Sequence, residues 1–181
     1  GGSDATNQPR DLQQVVAEYR EALAALDVPF PVALAAHSMG FLEALYWAQH
    51  YPEEVSALIG IDPATPESYR DFDRARALRQ LTALSQKPLL RKLAADRYCR
   101  QLFRRLDIPP ERRADQEARA LRNFAGPVWL AEARALPENL AAIAAAPLPR
   151  SLPTLFFLSN GRGTSMPEAL WRKHGLDFLR N

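Results

Sequence analysis

A chain of 181 residues suits one domain, or a core carrying an elaboration, and its 47% hydrophobic share is ordinary for a globular protein. No apolar run approaches the roughly eighteen residues of a membrane-spanning helix, and a net charge of +2 points to neither nucleic acid nor a membrane surface as partner. Three widely spaced histidines and one cysteine offer no zinc spacing and no disulfide, so no metal or cofactor is expected and a reducing, cytoplasmic compartment fits.

Residues 1–10 are rich in Gly, Ser, Asn and Pro and read as a loop. Leu12, Val15, Val16, Tyr19, Leu23 and Leu26 then recur at three- and four-residue spacing, which predicts a helix from about Asp11 to Asp27, ended by Pro29 and Pro31. Val32–Ala36 is a continuous apolar run without alternation, the pattern of a strand buried on both faces of a parallel sheet. A turn at His37–Gly40 leads into a helix over Phe41–His50, stopped by Pro52. Val55–Ile61 is a second apolar strand, closed by Asp62 and Pro63. Strand alternating with helix specifies βαβ units and a doubly wound parallel sheet.

From Pro66 to Arg150 the strand pattern disappears, and helices punctuated by proline are predicted near 71–84, 88–106, 110–124, 127–136 and 137–146. A Pro-rich stretch over 147–153 returns the chain to the sheet, where Leu155–Leu158 forms a third strand; a loop over Ser159–Thr164 and a helix from Pro167 follow. The expected architecture is therefore α/β: a partial doubly wound parallel sheet with three strands visible and a large helical cap insertion. Residues 1–65 form the first part of the core, 66–150 a helical cap or lid over the strand ends, and 151–181 the second part of the core. Cys99 lies among Asp96, Arg97 and Arg100, where flanking arginines favour a lowered thiol pKa and burial favours the opposite.

The chemical signal is Ala36-His37-Ser38-Met39-Gly40, set between the first strand and the helix after it. A small residue two positions either side of a serine is the pattern of a nucleophile elbow. So sharp a turn strains the serine backbone, and neighbouring elements crowd the flanking positions. It also lifts the hydroxyl above the sheet edge and leaves the next backbone N–H at a helix N-terminus, aimed at a developing oxyanion. Five residues alone recur by chance; their placement between a buried strand and an amphipathic helix carries the functional reading.

Pro31 to Pro63, with its His-Ser-Met-Gly turn and Leu-Ile-Gly-Ile-Asp-Pro strand end, resembles the α/β-hydrolase superfamily. Alanine at the first small position is similar to some lipases of that superfamily. Gly1-Gly2-Ser3-Asp4 resembles the end of its Gly-x-Gly-x-Ser loop, and Pro153–Phe157 the strand that follows a cap; the cap itself carries no specific likeness. The resemblance implies a Ser38 nucleophile acting on a small-molecule acyl substrate such as an ester or amide, with the Met39 backbone N–H in the oxyanion hole. The superfamily order is nucleophile, acid, histidine. The commoner acid position falls in Ser159–Thr164, which holds Asn160 and Arg162 instead. The alternative position, at the end of the strand after the nucleophile helix, holds Asp62. Certain haloalkane dehalogenases place a carboxylate there, but their nucleophile is an aspartate, and Ser38 argues against dehalogenation.

No histidine fills the base role. His37 adjoins the nucleophile with its ring directed away, His50 ends a helix where a cation suits the dipole, and His174 falls inside the last helix. The resemblance implies an internal piece whose catalytic histidine follows residue 181 and whose second oxyanion donor precedes residue 1, hence a poor catalyst alone. The alternative is a non-catalytic hydrolase-like protein that binds a ligand or partner.

Overall fold

The computed structural model describes residues 6–103, 108–146, 151–161 and 166–180. Gly1–Asp4, the 147–150 part of the return segment and the Arg162–Thr164 part of the loop thus lie outside the described residues. The chain forms α1 (Leu12–Ala25), β1 (Val32–His37), α2 (Gly40–His50), β2 (Val55–Ile61), α3 (Arg74–Ser85), α4 (Pro88–Phe103), α5 (Pro110–Asn123), α6 (Pro127–Ala144), β3 (Thr154–Phe157) and α7 (Glu168–Arg180). Short 3-10 helices occupy Pro52–Glu54 and Pro66–Tyr69. Among the described residues no helix is long and apolar enough to cross a membrane. Two compact units result: a sheet unit of Asp11–Asp73 with Leu136–Asn181, and a helical unit of Arg74–Ala135 with the chain up to Arg10.

In the sheet unit the three strands are parallel in the order β1-β2-β3, giving the α/β class expected of alternating strands and helices. The register slips by one between Val32 and Ala33, where Ser56 is passed over, and then runs regularly to the pair His37 and Ile61. Ile61 in turn pairs with Phe157, so all three strands end level with one another.

The core sits on one face of this sheet. Phe41, Leu42, Leu45 and Leu58 are fully buried there, with Leu34, Ala36 and Phe156 packed against them. Leu12 and Val16 of α1, Leu136 and Ile143 of α6 and Phe178 of α7 belong to the same cluster. Phe41 meets Phe156 and Phe178 edge-on at centroid distances of 5.0 and 5.6 Å, the geometry that aromatic quadrupoles favour. The opposite face behaves differently: Ala33, Ala35, His37, Ile61, Leu155 and Phe157 are exposed. The expectation that Val32–Ala36 is buried on both faces is thus corrected to alternating burial. An unbroken apolar run shows that a strand tolerates burial on both sides; whether a second layer covers it is set by other elements.

Helix α1 starts where Asp11 caps it, its carboxylate accepting from the Gln14 N–H at 2.8 Å. Its apolar stripe is buried only at the N-terminal end, and Leu26 at the other end is exposed. The Asn139 side-chain oxygen accepts from the Leu12 N–H at 3.0 Å, fixing α1 to the second half of α6. Glu54 is a second bracket: Arg20 grips both carboxylate oxygens at 2.8 and 2.6 Å, and the Trp47 indole donates at 2.8 Å. Those donors hold its carboxyl below the ordinary range, the Arg20 hydrogen bonds first and against the opposing effect of burial.

In the helical unit α4 packs on both α3 and α5. Leu78, Leu81 and Leu84 of α3 are half-buried, as their spacing implies. The exposed side of α5 carries the ion pairs Arg113–Glu117 and Arg119–Asp115. Cys99 is buried, and burial first, then the charges of Glu117 and Asp96, pushes its thiol pKa up. The expected helices 127–136 and 137–146 are one continuous helix with Pro137 inside it. The two units nevertheless divide between Ala135 and Leu136, one residue before this proline.

Candidate functional site

Ser38 and Met39 alone separate the last residue of β1 from the first of α2. So short a connection forces Ser38 to φ 52, left-handed backbone that glycine adopts freely and that, among L-residues, only asparagine and aspartate visit with any frequency. Neighbouring main chain pins it there. The Ser38 N–H donates to the Ile61 carbonyl at 3.3 Å, and the Ser38 carbonyl accepts from both Phe41 and Ala64 at 3.1 and 3.0 Å. Strain of this kind costs roughly 1–3 kcal/mol and persists only where surrounding structure over-determines it. Three such bonds provide that constraint.

The Ser38 side chain is partly exposed. Met39 is the N-cap of α2, so its N–H precedes the first turn, where backbone donors lack intrahelical acceptors. Crowding explains Gly40 poorly: a Cβ there meets nothing within 4 Å.

Asp62 occupies the same place on the neighbouring strand. It follows Ile61, has φ 48, and donates its N–H to the Phe157 carbonyl at 2.7 Å. Both residues therefore stand at the carboxyl ends of adjacent parallel strands, where open α/β sheets form their ligand crevices. The Asp62 carboxylate is held by three donors. Oδ1 accepts from the Ser159 N–H at 2.9 Å and the Trp171 indole N–H at 2.7 Å, and Oδ2 accepts from the Ser159 hydroxyl at 2.7 Å. Burial acts to raise its pKa, but the Ser159 and Trp171 hydrogen bonds, with the nearby charge of His37, outweigh it and hold the carboxyl below its ordinary value.

No hydrogen bond joins a histidine to Ser38 or Asp62 among the described residues. His37 ends β1 on the exposed face of the sheet. His50 stacks on Tyr46 at 3.8 Å, and its Nδ1 lies 2.9 Å from the Tyr46 carbonyl. His174 is buried in α7, which packs on the 3-10 helix Pro66–Tyr69, and its Nε2 stands 3.1 Å from an Asp71 carboxylate oxygen. That separation is short enough for an ion pair but lacks hydrogen-bond geometry. Among the described residues no group of His, Cys, Asp and Glu is arranged to hold a metal.

The sequence matches no known family profile. YbdG, an uncharacterized protein of Bacillus subtilis, is 38% identical over 69 residues, which make up 38% of this chain and 21% of YbdG. The lipase-like protein lip1 of Acinetobacter baumannii superposes with a TM-score of 0.52 at 19% identity, over 78% of this chain and 48% of that one. The fold the two share is the α/β-hydrolase fold. At that identity the likeness is one of fold alone. A variant of haloalkane dehalogenase DatA from Agrobacterium tumefaciens matches at 18% identity with a TM-score of 0.42, over 99% of this chain and 55% of its own. The chain thus spans about half the length of the solved structures it matches.

The structure joins Asp62 to residues that sequence reasoning did not assign to the site. Ser159 lies in the loop expected to carry an acid; it carries donors for an acid on the next strand instead. Trp171 reads as one apolar position of an amphipathic helix, and only its contact distance reveals the indole N–H at work. A Cβ on Gly161 would stand 3.1 Å from Trp171 Cβ, and its φ of +70 suits glycine, so this position lets the loop close against the ring.

Proposed function

We propose that Ser38 is the nucleophile of a serine hydrolase acting on an ester, amide or similar small acyl substrate. Asp62 is then the acid that orients a histidine base lying outside the three histidines of this chain. The observation that carries the reading is the over-determined left-handed backbone of Ser38 at the strand-to-helix turn. A solvent-side serine in a chance turn has no need of such strain, whereas a nucleophile gains a hydroxyl raised above the sheet edge. The Met39 N–H supplies one oxyanion donor at the helix N-terminus, where the aligned backbone dipoles add to it. The base takes the hydroxyl proton as Ser38 attacks the acyl carbon, then returns it to the leaving group, and water repeats the sequence to release the acid.

A second reading, a non-catalytic binding protein of the same fold, draws support from Asp62 itself. Three of its bonds run inside the protein and tie β2, the loop after β3 and α7 together, a purely architectural use. The test takes the protein expressed from its complete reading frame, a fluorophosphonate probe and p-nitrophenyl esters of several chain lengths. Labelling and turnover that vanish in Ser38→Ala support the hydrolase. A folded wild type that neither labels nor turns over any ester or amide supports the binding protein.

A further inference from the structure

An ionised carboxylate offers about four acceptor positions, two on each oxygen. In Asp62 the Ser159 and Trp171 N–H groups fill both positions on Oδ1, and the Ser159 hydroxyl fills one on Oδ2. One position on Oδ2 is left. We infer that Ser159 and Trp171 are positioning residues, which fix the Asp62 carboxylate so that this last acceptor faces the imidazole of the general base. The inference rests on the hydrolase reading above and specifies how its acid is held.

The bracket is rigid for identifiable reasons. Trp171 is buried on α7, so its indole N–H is presented by a helix. The Ser159 hydroxyl accepts from the Gly161 N–H at 3.0 Å, which leaves its own hydrogen directed at Oδ2. Turning the carboxylate about its Cβ–Cγ bond would break all three contacts together. Hydrogen bonds to a charged group are roughly twice as strong as neutral ones, and three act together here, so the held orientation dominates. This answers the chemical need of an acid that must keep one imidazole tautomer and stay ionised while the imidazolium forms. It also explains why the loop after β3 can lack a carboxylate: it supplies the donors for one.

The experiment measures p-nitrophenyl acetate hydrolysis by the complete protein, per site titrated with fluorophosphonate, so that misfolded material is not counted. Trp171→Phe keeps the ring and removes the donor; Ser159→Ala, on an exposed loop, removes the hydroxyl with little risk to folding. Each is expected to lower kcat about 10- to 100-fold, the equivalent of one charge-assisted bond, with KM nearly unchanged. The acid limb of the kcat/KM profile is expected to move to lower pH, because a poorly aimed carboxylate raises the base's pKa less. Ser159→Thr, which retains the hydroxyl, is expected to restore most of the turnover. If wild type is active and both variants keep its kcat and its pH profile, the positioning role is overturned while the hydrolase stands. If folded wild type shows no turnover, the hydrolase reading falls and this inference falls with it.

Discussion

The substitution Asp62→Asn separates the chemistry of this carboxylate from its part in the fold. The introduced amide can keep its oxygen at the Oδ1 position, still accepting from the Ser159 and Trp171 N–H groups now 2.9 and 2.7 Å away. Its nitrogen then takes the Oδ2 position and donates to the Ser159 hydroxyl oxygen. That oxygen already accepts from Gly161 and has a second lone pair free, and on an exposed residue its displaced hydrogen turns to solvent. Every polar atom stays paired; what disappears is the charge, a loss of about 1 kcal/mol for each of the three bonds before solvent screening reduces it. On the proposed hydrolase reading the reaction fares differently. The last acceptor position becomes an N–H donor, which selects the wrong imidazole tautomer and leaves the imidazolium without a counter-charge. Such a change at a triad aspartate lowers kcat roughly 10⁴-fold. The assay pairs steady-state ester hydrolysis with urea unfolding of the same preparations. Turnover within tenfold of wild type would falsify Asp62 as the acid, and an activity loss that merely follows unfolding assigns it a structural role.

Ser38→Gly is expected to stabilise the protein by about 1 kcal/mol while abolishing probe labelling, because relieved strain of roughly 1–3 kcal/mol exceeds the extra unfolded-state entropy of glycine, roughly 0.4–1 kcal/mol. A lower urea midpoint for this variant contradicts the strain argument. Gly60→Ala is expected to destabilise by about 1–3 kcal/mol in thermal unfolding, since its Cβ would sit 2.8 Å from Phe156 Cδ1 and Pro63 Cγ. Phe156 cannot give way, being stacked on Phe178 and wedged against Phe41. Glu54→Gln is expected to cost about 2 kcal/mol at neutral pH, because it breaks a half-desolvated, doubly hydrogen-bonded pair with Arg20. The folded pKa of Glu54 lies below its ordinary 4.5, so its contribution is present above that value and is lost as pH falls through the lower folded one. Urea midpoints of wild type and Glu54→Gln should therefore converge in acid, and a gap that stays constant below pH 4.5 contradicts the assignment.

What was legible in the sequence was what short-range chemistry dictates. The alternation of apolar strands with amphipathic helices specified parallel strands, and β2 occupies Val55–Ile61 as read. The Ser38 turn was legible because a two-residue link between strand and helix has few conformations, and small flanking residues mark it. Prolines were less trustworthy: Pro137, read as a helix break, lies inside α6, where the flanking turns carry the helix across the missing N–H. Burial was legible as a propensity only. The Val32–Ala36 run looks like a strand enclosed on both sides, yet Ala33 and Ala35 are exposed, because covering a second face depends on elements remote in the chain. The environment of Asp62 was likewise beyond reach. Its three hydrogen bonds come from residues 97 and 109 positions away, and no local pattern records which donors the parallel register brings to one strand end. Sequence marked the two residues that stand at the ends of β1 and β2; only the tertiary structure decided what holds the carboxylate still, since that depends on distances across the sheet that spacing along the chain does not encode.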